Sequence, residues 1–206
     1  MVKNPYRGKF IVFEGIDGAG TETQSKLLFN YLKKRKKPVV KLLYPDKKGV
    51  MGKLIYKYLD KEHKISPEIQ FLLHLADFAK DQSRIRNWLK QGKIVIADRY
   101  FTSTLAYQVA KGFPQNRALL AAKIFELSKP DLVVFLRVSP KTSIRRKYKE
   151  KRSLDLHEAN RKLLKQVAAF YEKLVKKQIF SKWQVIDGEK PIKQVFEEVR
   201  KTIKVR

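Results

Sequence analysis

Three groups of residues in this 206-residue chain carry chemistry suited to phosphate. The first is Gly15-Ile16-Asp17-Gly18-Ala19-Gly20-Thr21-Glu22-Thr23, which follows an apolar run at residues 10–13 and precedes a helical pattern carrying Leu27, Leu28, Tyr31 and Leu32. Strand, glycine turn and helix is the setting in which backbone N–H groups and a helix N-terminus cradle a phosphate. The spacing from Gly15 to Gly20 is that of a P-loop, G-x-x-x-x-G-K-[ST]. The second group is Asp98-Arg99-Tyr100, at the end of the run KIVIAD (residues 93–98). An aspartate and an arginine at a strand's carboxyl edge, opposite such a loop, are placed for Mg²⁺ and for phosphate respectively, since arginine makes a bidentate, always-charged clamp. The third is a dense basic segment, RRKYKEKR at residues 145–152, whose charge suits a lid closing over nucleotide phosphates.

The loop departs from the motif where charge is usually placed. Thr21 stands at the lysine position and Glu22 at the Ser/Thr position. A P-loop lysine contacts the β- and γ-phosphates, and the following hydroxyl holds Mg²⁺. Losing one preorganised donor commonly costs about 10²–10³ in rate.

These groups need a scaffold, and the hydrophobic pattern supplies one. Apolar runs at residues 10–13, 38–43, 93–98, 131–138 and 183–187 read as five buried strands. Helical spacing falls between them, at about 21–36, 49–59, 67–89, 115–127, 156–177 and 192–205, with a further helix after Ser139-Pro140. Alternation of this kind predicts an α/β fold with a parallel, doubly wound sheet in a single domain over residues 1–206, with a basic lid at about 141–156. Ligands of such sheets bind beyond the carboxyl ends of the strands, which is where the loop, Tyr44-Pro45 and Asp98-Arg99 all fall.

Composition narrows the classes. No apolar run approaches the ~20 residues of a membrane span, and the N-terminal stretch MVKNPYRGKF has no signal-peptide core, so a cytoplasmic protein is expected. There are no cysteines, which excludes disulfides and thiolate metal sites, and only three scattered histidines, His63, His74 and His157. The net charge of +27 invites a nucleic-acid reading. No basic tail, zinc-finger spacing or RNP-type aromatic pattern accompanies it, so lysine-coated helices and a polyphosphate ligand are preferred. A Lys/Glu-rich composition without cysteine also fits a thermophile.

With FEGIDGAG at 13–20, Tyr44-Pro45, DRYFTSTLAYQ at 98–108, KPDLVVFL at 129–136, the basic lid and VIDG at 185–188, the chain resembles the thymidylate kinases over nearly its whole length. The resemblance implies a P-loop NTPase fold of the nucleoside-monophosphate kinase type, ATP as phosphoryl donor, dTMP as acceptor, Mg²⁺, and a homodimer packed through the helices over 67–89 and 115–127. It implies that the amides from Gly15 to Thr23 hold the ATP phosphates and that Asp17 reaches toward the deoxyribose 3′-hydroxyl. Asp98 would lie near the metal and Arg99 would bind the acceptor phosphate. Tyr107 and Gln108 match the segment along sugar and base, with thymine near Tyr44, Pro45, His74 and Phe78, and with Ser103 offering its hydroxyl to the base. Family members usually carry an arginine where this chain has Phe78, and the turn after the second strand reads Asp46-Lys47-Lys48 in place of the usual residues. Substitutes for the missing charge are Arg145, Arg146, Lys149 and Arg152 from the lid, Lys47 or Lys80 for the acceptor phosphate, and Glu22 as a second carboxylate toward Mg²⁺. The expected reaction is therefore ATP-dependent phosphorylation of dTMP to dTDP. Alternatives are a kinase with broadened acceptor use (dTMP and dUMP) and a nucleotide-binding module that has lost transfer.

Overall fold

A computed structural model describes residues 3–60, 65–150 and 160–203. Five strands, β1 (Lys9–Glu14), β2 (Val39–Leu43), β3 (Ile94–Asp98), β4 (Leu132–Arg137) and β5 (Trp183–Asp187), form one parallel sheet in the order β2-β3-β1-β4-β5. Around it lie α1 (Thr21–Lys34), α2 (Val50–Leu59), α3 (Pro67–Ala79), α4 (Gln82–Lys90), α5 (Phe101–Ala110), α6 (Gln115–Ile124), α7 (Pro140–Glu150), α8 (Arg161–Lys176) and α9 (Ile192–Thr202). The five strands and the doubly wound class are those the hydrophobic pattern predicts. Central strands of a parallel sheet are covered on both faces, and every residue of β3, like residues 10–14 of β1, is buried.

The register decides where the chemistry sits. The chain leaves β1 toward the β2 edge and leaves β3 toward β4, so the carboxyl ends of adjacent β1 and β3 flank the crevice where such sheets bind ligands. Phe13 pairs with Asp98 across β1 and β3, and Leu43 pairs with Asp98 across β2 and β3. The Arg99 N–H donates to Phe13 O at 2.9 Å and the Tyr44 N–H to Asp98 O at 3.0 Å. Three stretches far apart in sequence thus emerge at one edge.

One expected helix is interrupted in the structure. The helix expected over 67–89 is two helices, α3 and α4, broken at Lys80-Asp81. There the Gln82 side chain donates to Phe78 O at 2.7 Å, next to the carbonyl's bond from Asp81 N at 3.2 Å. The Asp81 carboxylate is pinned by the Tyr44 hydroxyl at 3.0 Å and by Lys80 at 2.7 Å. Local bonds take the carbonyl, and the tertiary bond from Tyr44 fixes the side chain, at the point where the helix breaks. Helix α8 begins at Arg161, where the Asn160 side chain accepts from Leu163 N at 2.9 Å. Residues 151–156 of the expected lid, Arg152 among them, and residues 156–159 of the expected helix lie outside the described residues, as do His63 and His157.

Candidate active site

The loop after β1 is shaped by close packing as much as by glycine. Gly18 has φ +75°, and a Cβ on it would lie 2.8 Å from Ser143 O, so only glycine lets α7 approach this closely. The Ser143 hydroxyl donates to Asp17 O, and Arg146 donates to Gly18 O at 3.3 Å and to Gly188 O at 2.8 Å. Helix α1 then starts at Thr21 behind Gly20, with its first amides facing a cavity of about 760 Å³. That cavity is lined by Gly18, Gly20, Thr21, Glu22, Thr23 and Asp98, and by the cations Lys26, Lys47, Arg99 and Lys147. Unpaired amides at a helix N-terminus above such a cavity form an anion site. Gly15, Ile16 and Ala19 complete the turn, with Ala19 N donating to Ile16 O at 3.0 Å.

Glu14, which the sequence pattern did not single out, organises the site from beneath. Its buried carboxylate accepts from Tyr100 N at 3.1 Å, Thr102 Oγ1 at 2.6 Å, Ser103 N at 3.1 Å and the Tyr171 hydroxyl at 2.8 Å, and also from the Ser103 hydroxyl. Burial raises its pKa, while these donors and Arg99 oppose the rise. One carboxylate thereby anchors the N-terminus of α5 and ties α8 to it. Ser103 borders the smaller cavity described below, and its hydroxyl is donated to Glu14 and accepts from Arg99 at 3.2 Å. With its hydrogen on Glu14, this hydroxyl positions Glu14 and Arg99 at the edge of that cavity.

Arg99 follows with φ +64°, and its guanidinium spans the crevice. Nη1 donates to Gly15 O at 2.9 Å, and Nη2 meets Asp17 Oδ1 at 2.7 Å. The other Asp17 oxygen accepts from the Tyr107 hydroxyl at 2.7 Å. Burial alone would lower the Arg99 pKa, but Asp17 and its neighbours hold it well above the usual value, so the group is a permanent cation. Asp98 is buried beside it; burial raises its pKa, opposed by Arg99 and by a hydrogen bond from the Thr21 side chain, while the Glu22 charge adds to the rise.

Beyond Arg99 lies a second, smaller cavity of about 80 Å³, between α3 and α5. Tyr44, Phe78 and Tyr100 form its aromatic wall, with Phe78 edge-on to Tyr44 at 5.0 Å and to Tyr100 at 5.1 Å. His74 stacks toward Phe78 at 6.3 Å. Burial, with Lys111 and Arg99 adding repulsion, lowers its pKa to about 3, so the imidazole is neutral. Pro45, Leu59, Thr104, Tyr107 and Gln108 complete the lining. Gln108 is 1% exposed, and neither atom of its amide has a hydrogen-bond partner. A fully buried amide left unpaired costs free energy unless a ligand completes it. The two cavities share Asp17, Tyr44, Pro45, Leu59 and Arg99.

Several sequence candidates are directed elsewhere. Arg145 and Lys149 are exposed on α7 and do not line either cavity, and Arg146 serves the carbonyls of Gly18 and Gly188. Lys80 is held by Asp81 at 2.7 Å, Asp77 at 3.0 Å and Asp46 at 3.4 Å, which leaves it inside an acidic cluster rather than facing an acceptor phosphate. Lys47 does line the larger cavity, its ammonium 5.5 Å from the Tyr56 ring centroid. Lys147 was not anticipated and lines that cavity from α7. Glu22 and Asp98 face the same cleft, and no cluster of three metal-binding side chains occurs among the described residues. Among those residues no helix is long and apolar enough to cross a membrane.

A family model described as thymidylate kinase matches residues 13–199. The chain is 31% identical over 207 residues to the thymidylate kinase of Thermoanaerobacter sp. (strain X514), covering 96% of this chain and 98% of that one. It is 40% identical over 157 residues to the thymidylate kinase of Chlorobium luteolum, covering 74% and 72%. Among solved structures, the thymidylate kinase of Candida albicans superimposes with a TM-score of 0.77 at 26% identity, over 96% of this chain and 91% of that one.

Proposed function

The chain belongs to the thymidylate kinase family, and from that premise we propose that it transfers the terminal phosphoryl group of ATP to dTMP, giving ADP and dTDP. The observation that carries this reading is the junction of the two cavities: a phosphate cleft and an aromatic pocket meet at Asp17 and Arg99. A donor lying along the loop and an acceptor in the aromatic pocket then bring their phosphates together at the guanidinium.

In this reading an oxygen of the dTMP phosphate attacks the γ-phosphorus, the bond to the β–γ bridging oxygen breaks, and ADP leaves with that oxygen. The attacking oxygen is already ionised, so positioning and charge carry the rate. The amides from Gly15 to Thr23 and the N-terminus of α1 hold the donor phosphates. Arg99, kept cationic, serves the acceptor phosphate, and Asp17, oriented by Arg99 and Tyr107, stands next to the sugar. Tyr44, Pro45, His74, Phe78 and Gln108 surround the base. Asp98, the Thr21 hydroxyl and Glu22 are hard oxygen donors beside the phosphate site, a set that suits Mg²⁺. When bound, the ion supplies neutralisation of charge on the transferring phosphoryl oxygens.

A homodimer and a cytoplasmic location complete the proposal. Ile69 and Leu72 on α3, with Leu120 and Ile124 on α6, are exposed apolar side chains that support packing against a second copy. The decisive test is coupled ADP release with Mg-ATP and each of dTMP, dUMP, dCMP and dGMP, run warm because the composition suits a thermophile. Turnover with dTMP well above the others is expected, and its absence with every acceptor would overturn the reading. Light scattering on a sizing column tests the dimer, with a monomer mass as the contrary outcome.

A further inference from the structure

The acceptor pocket has a second layer behind its lining, centred on Lys111, the C-terminal cap of α5. The Lys111 ammonium donates to Gln70 Oε1 on α3. It also lies 3.5 Å from the Tyr58 hydroxyl on α2 and 5.4 Å from the centroid of that ring. Gln70 is buried, and its amide nitrogen donates in turn to Ile65 O at 2.9 Å, just before α3 begins. One side chain therefore joins three helices.

Each of those helices also supplies the pocket wall at a neighbouring position. Tyr107 and Gln108 precede Lys111 by four and three residues, so the three share one face of α5. His74 stands four residues after Gln70 on α3, and Leu59 directly follows Tyr58 on α2. Phe71 and Phe113, stacked at 4.5 Å, tie α3 to the segment after α5 by packing. The ammonium adds α2, whose Leu59 lines both cavities. Burial disfavours its charged form and lowers its pKa to about 8, with the Asp17 carboxylate opposing the fall. A methionine of similar length would fill the same space without that cost, so packing alone does not account for a lysine here. The pocket holds only about 80 Å³, so the spacing of its walls decides which base fits. We propose that Lys111 is a positioning residue for the acceptor: by drawing α2 and α3 onto α5 it fixes the width of the pocket, and with it the preference for a one-ring base over a two-ring base. The inference rests on the kinase reading for the identity of the acceptor.

The test compares wild type with Lys111→Met, Lys111→Arg, Gln70→Met and the double variant Lys111→Met/Gln70→Met. Lys111→Met keeps the apolar stem and removes the ammonium. It is expected to raise KM for dTMP about tenfold while kcat stays within about twofold. Calorimetry without ATP should show the same weakening of dTMP, and the preference for dTMP over dGMP should narrow by about fivefold or more. Lys111→Arg, which keeps a cation and its donors, should recover most of the loss. The double variant should be no worse than Lys111→Met, because both single changes break the same bond. Binding of ADP, measured on every variant, should be unchanged and reports an intact phosphate cleft. If Lys111→Met does not fold, Gln70→Met carries the same expectation. A loss in kcat at constant KM, equal weakening of dTMP and dGMP, arginine as poor as methionine, or additive losses in the double variant would each overturn the proposal. A wild type that binds dTMP without turnover would sink the kinase reading and leave the lysine to calorimetry; one that binds no dTMP would sink both.

Discussion

The two cavities that meet at Arg99 are built by opposite means. The acceptor pocket is small, and its walls are fastened to one another: Glu14 holds the start of α5, Asp17 holds Tyr107, Asp81 holds the Tyr44 hydroxyl, and Phe78 packs edge to face on Tyr44 and Tyr100. The phosphate cleft is roughly nine times larger, with lysines contributed by the α1, α2 and α7 sides. The difference teaches how each half recognises its ligand. A base is read by shape and a few fixed polar atoms, which demand a rigid wall. A polyphosphate is read by summed charge, which tolerates cations arriving from different elements. On that difference, losing one lysine of the cleft is expected to cost less than losing one wall residue.

Four substitutions would break or sharpen that contrast. The largest effect is expected for Glu14→Ala, which strands five donors in a buried site. Its cost should be roughly 3–5 kcal/mol of stability, read from the shift of the denaturation midpoint. A loss below about 1 kcal/mol would mean that the acceptor wall is held by packing alone. Arg99→Lys comes next. One ammonium cannot serve Gly15 O, Ser103 Oγ and Asp17 together, so kcat/KM for dTMP should fall about 10²–10³-fold. A fall under tenfold would place Arg99 with the replaceable cations of the cleft.

Gln108→Leu has a smaller effect and an unusual sign. The amide is buried without partners, so a nearly isosteric apolar side chain should leave stability unchanged or raised. At the same time dTMP affinity should drop by about 1–3 kcal/mol, because the base loses the one side-chain amide aimed at it. Calorimetry and denaturation on the same variant separate the two. Unchanged dTMP affinity would show that the amide serves neither the fold nor the ligand.

What the sequence made legible follows the same division. The glycine loop and Asp98-Arg99-Tyr100 are contiguous strings, and contiguity is what a single sequence displays. The role of Glu14 was hidden because its partners Thr102, Ser103 and Tyr171 lie 88, 89 and 157 residues away, and because it ends an otherwise apolar strand. The break between α3 and α4 was hidden for a similar reason, since Tyr44 reaches Asp81 across 37 residues. In α7 the signal was present but unaddressed. Arg145 and Lys147 are two positions apart, which on a helix is more than half a turn around the axis. The docking of Ser143 against Gly18 determines which of them lines the cleft.

The smallest effect concerns His74, and it probes whether the acceptor pocket is as dry as its geometry implies. The unfolded chain titrates histidine near 6.5, whereas burial and the charges of Lys111 and Arg99 lower the folded value to about 3. Between those values the native state binds fewer protons than the unfolded state, so stability falls as pH drops through that window and is unaffected above it. His74→Phe keeps a ring against Phe78 and removes the proton site. The stability difference between wild type and variant should be constant above about pH 7 and should turn against the wild type below it. The slope is at most about 1.4 kcal/mol per pH unit. Paired denaturation curves at pH 7.5, 6, 5 and 4 measure it. A difference that stays flat to pH 4 would mean that His74 ionises in contact with water. The acceptor side would then differ from the cleft in size and charge but not in dryness, and shape alone would have to account for how it holds a base.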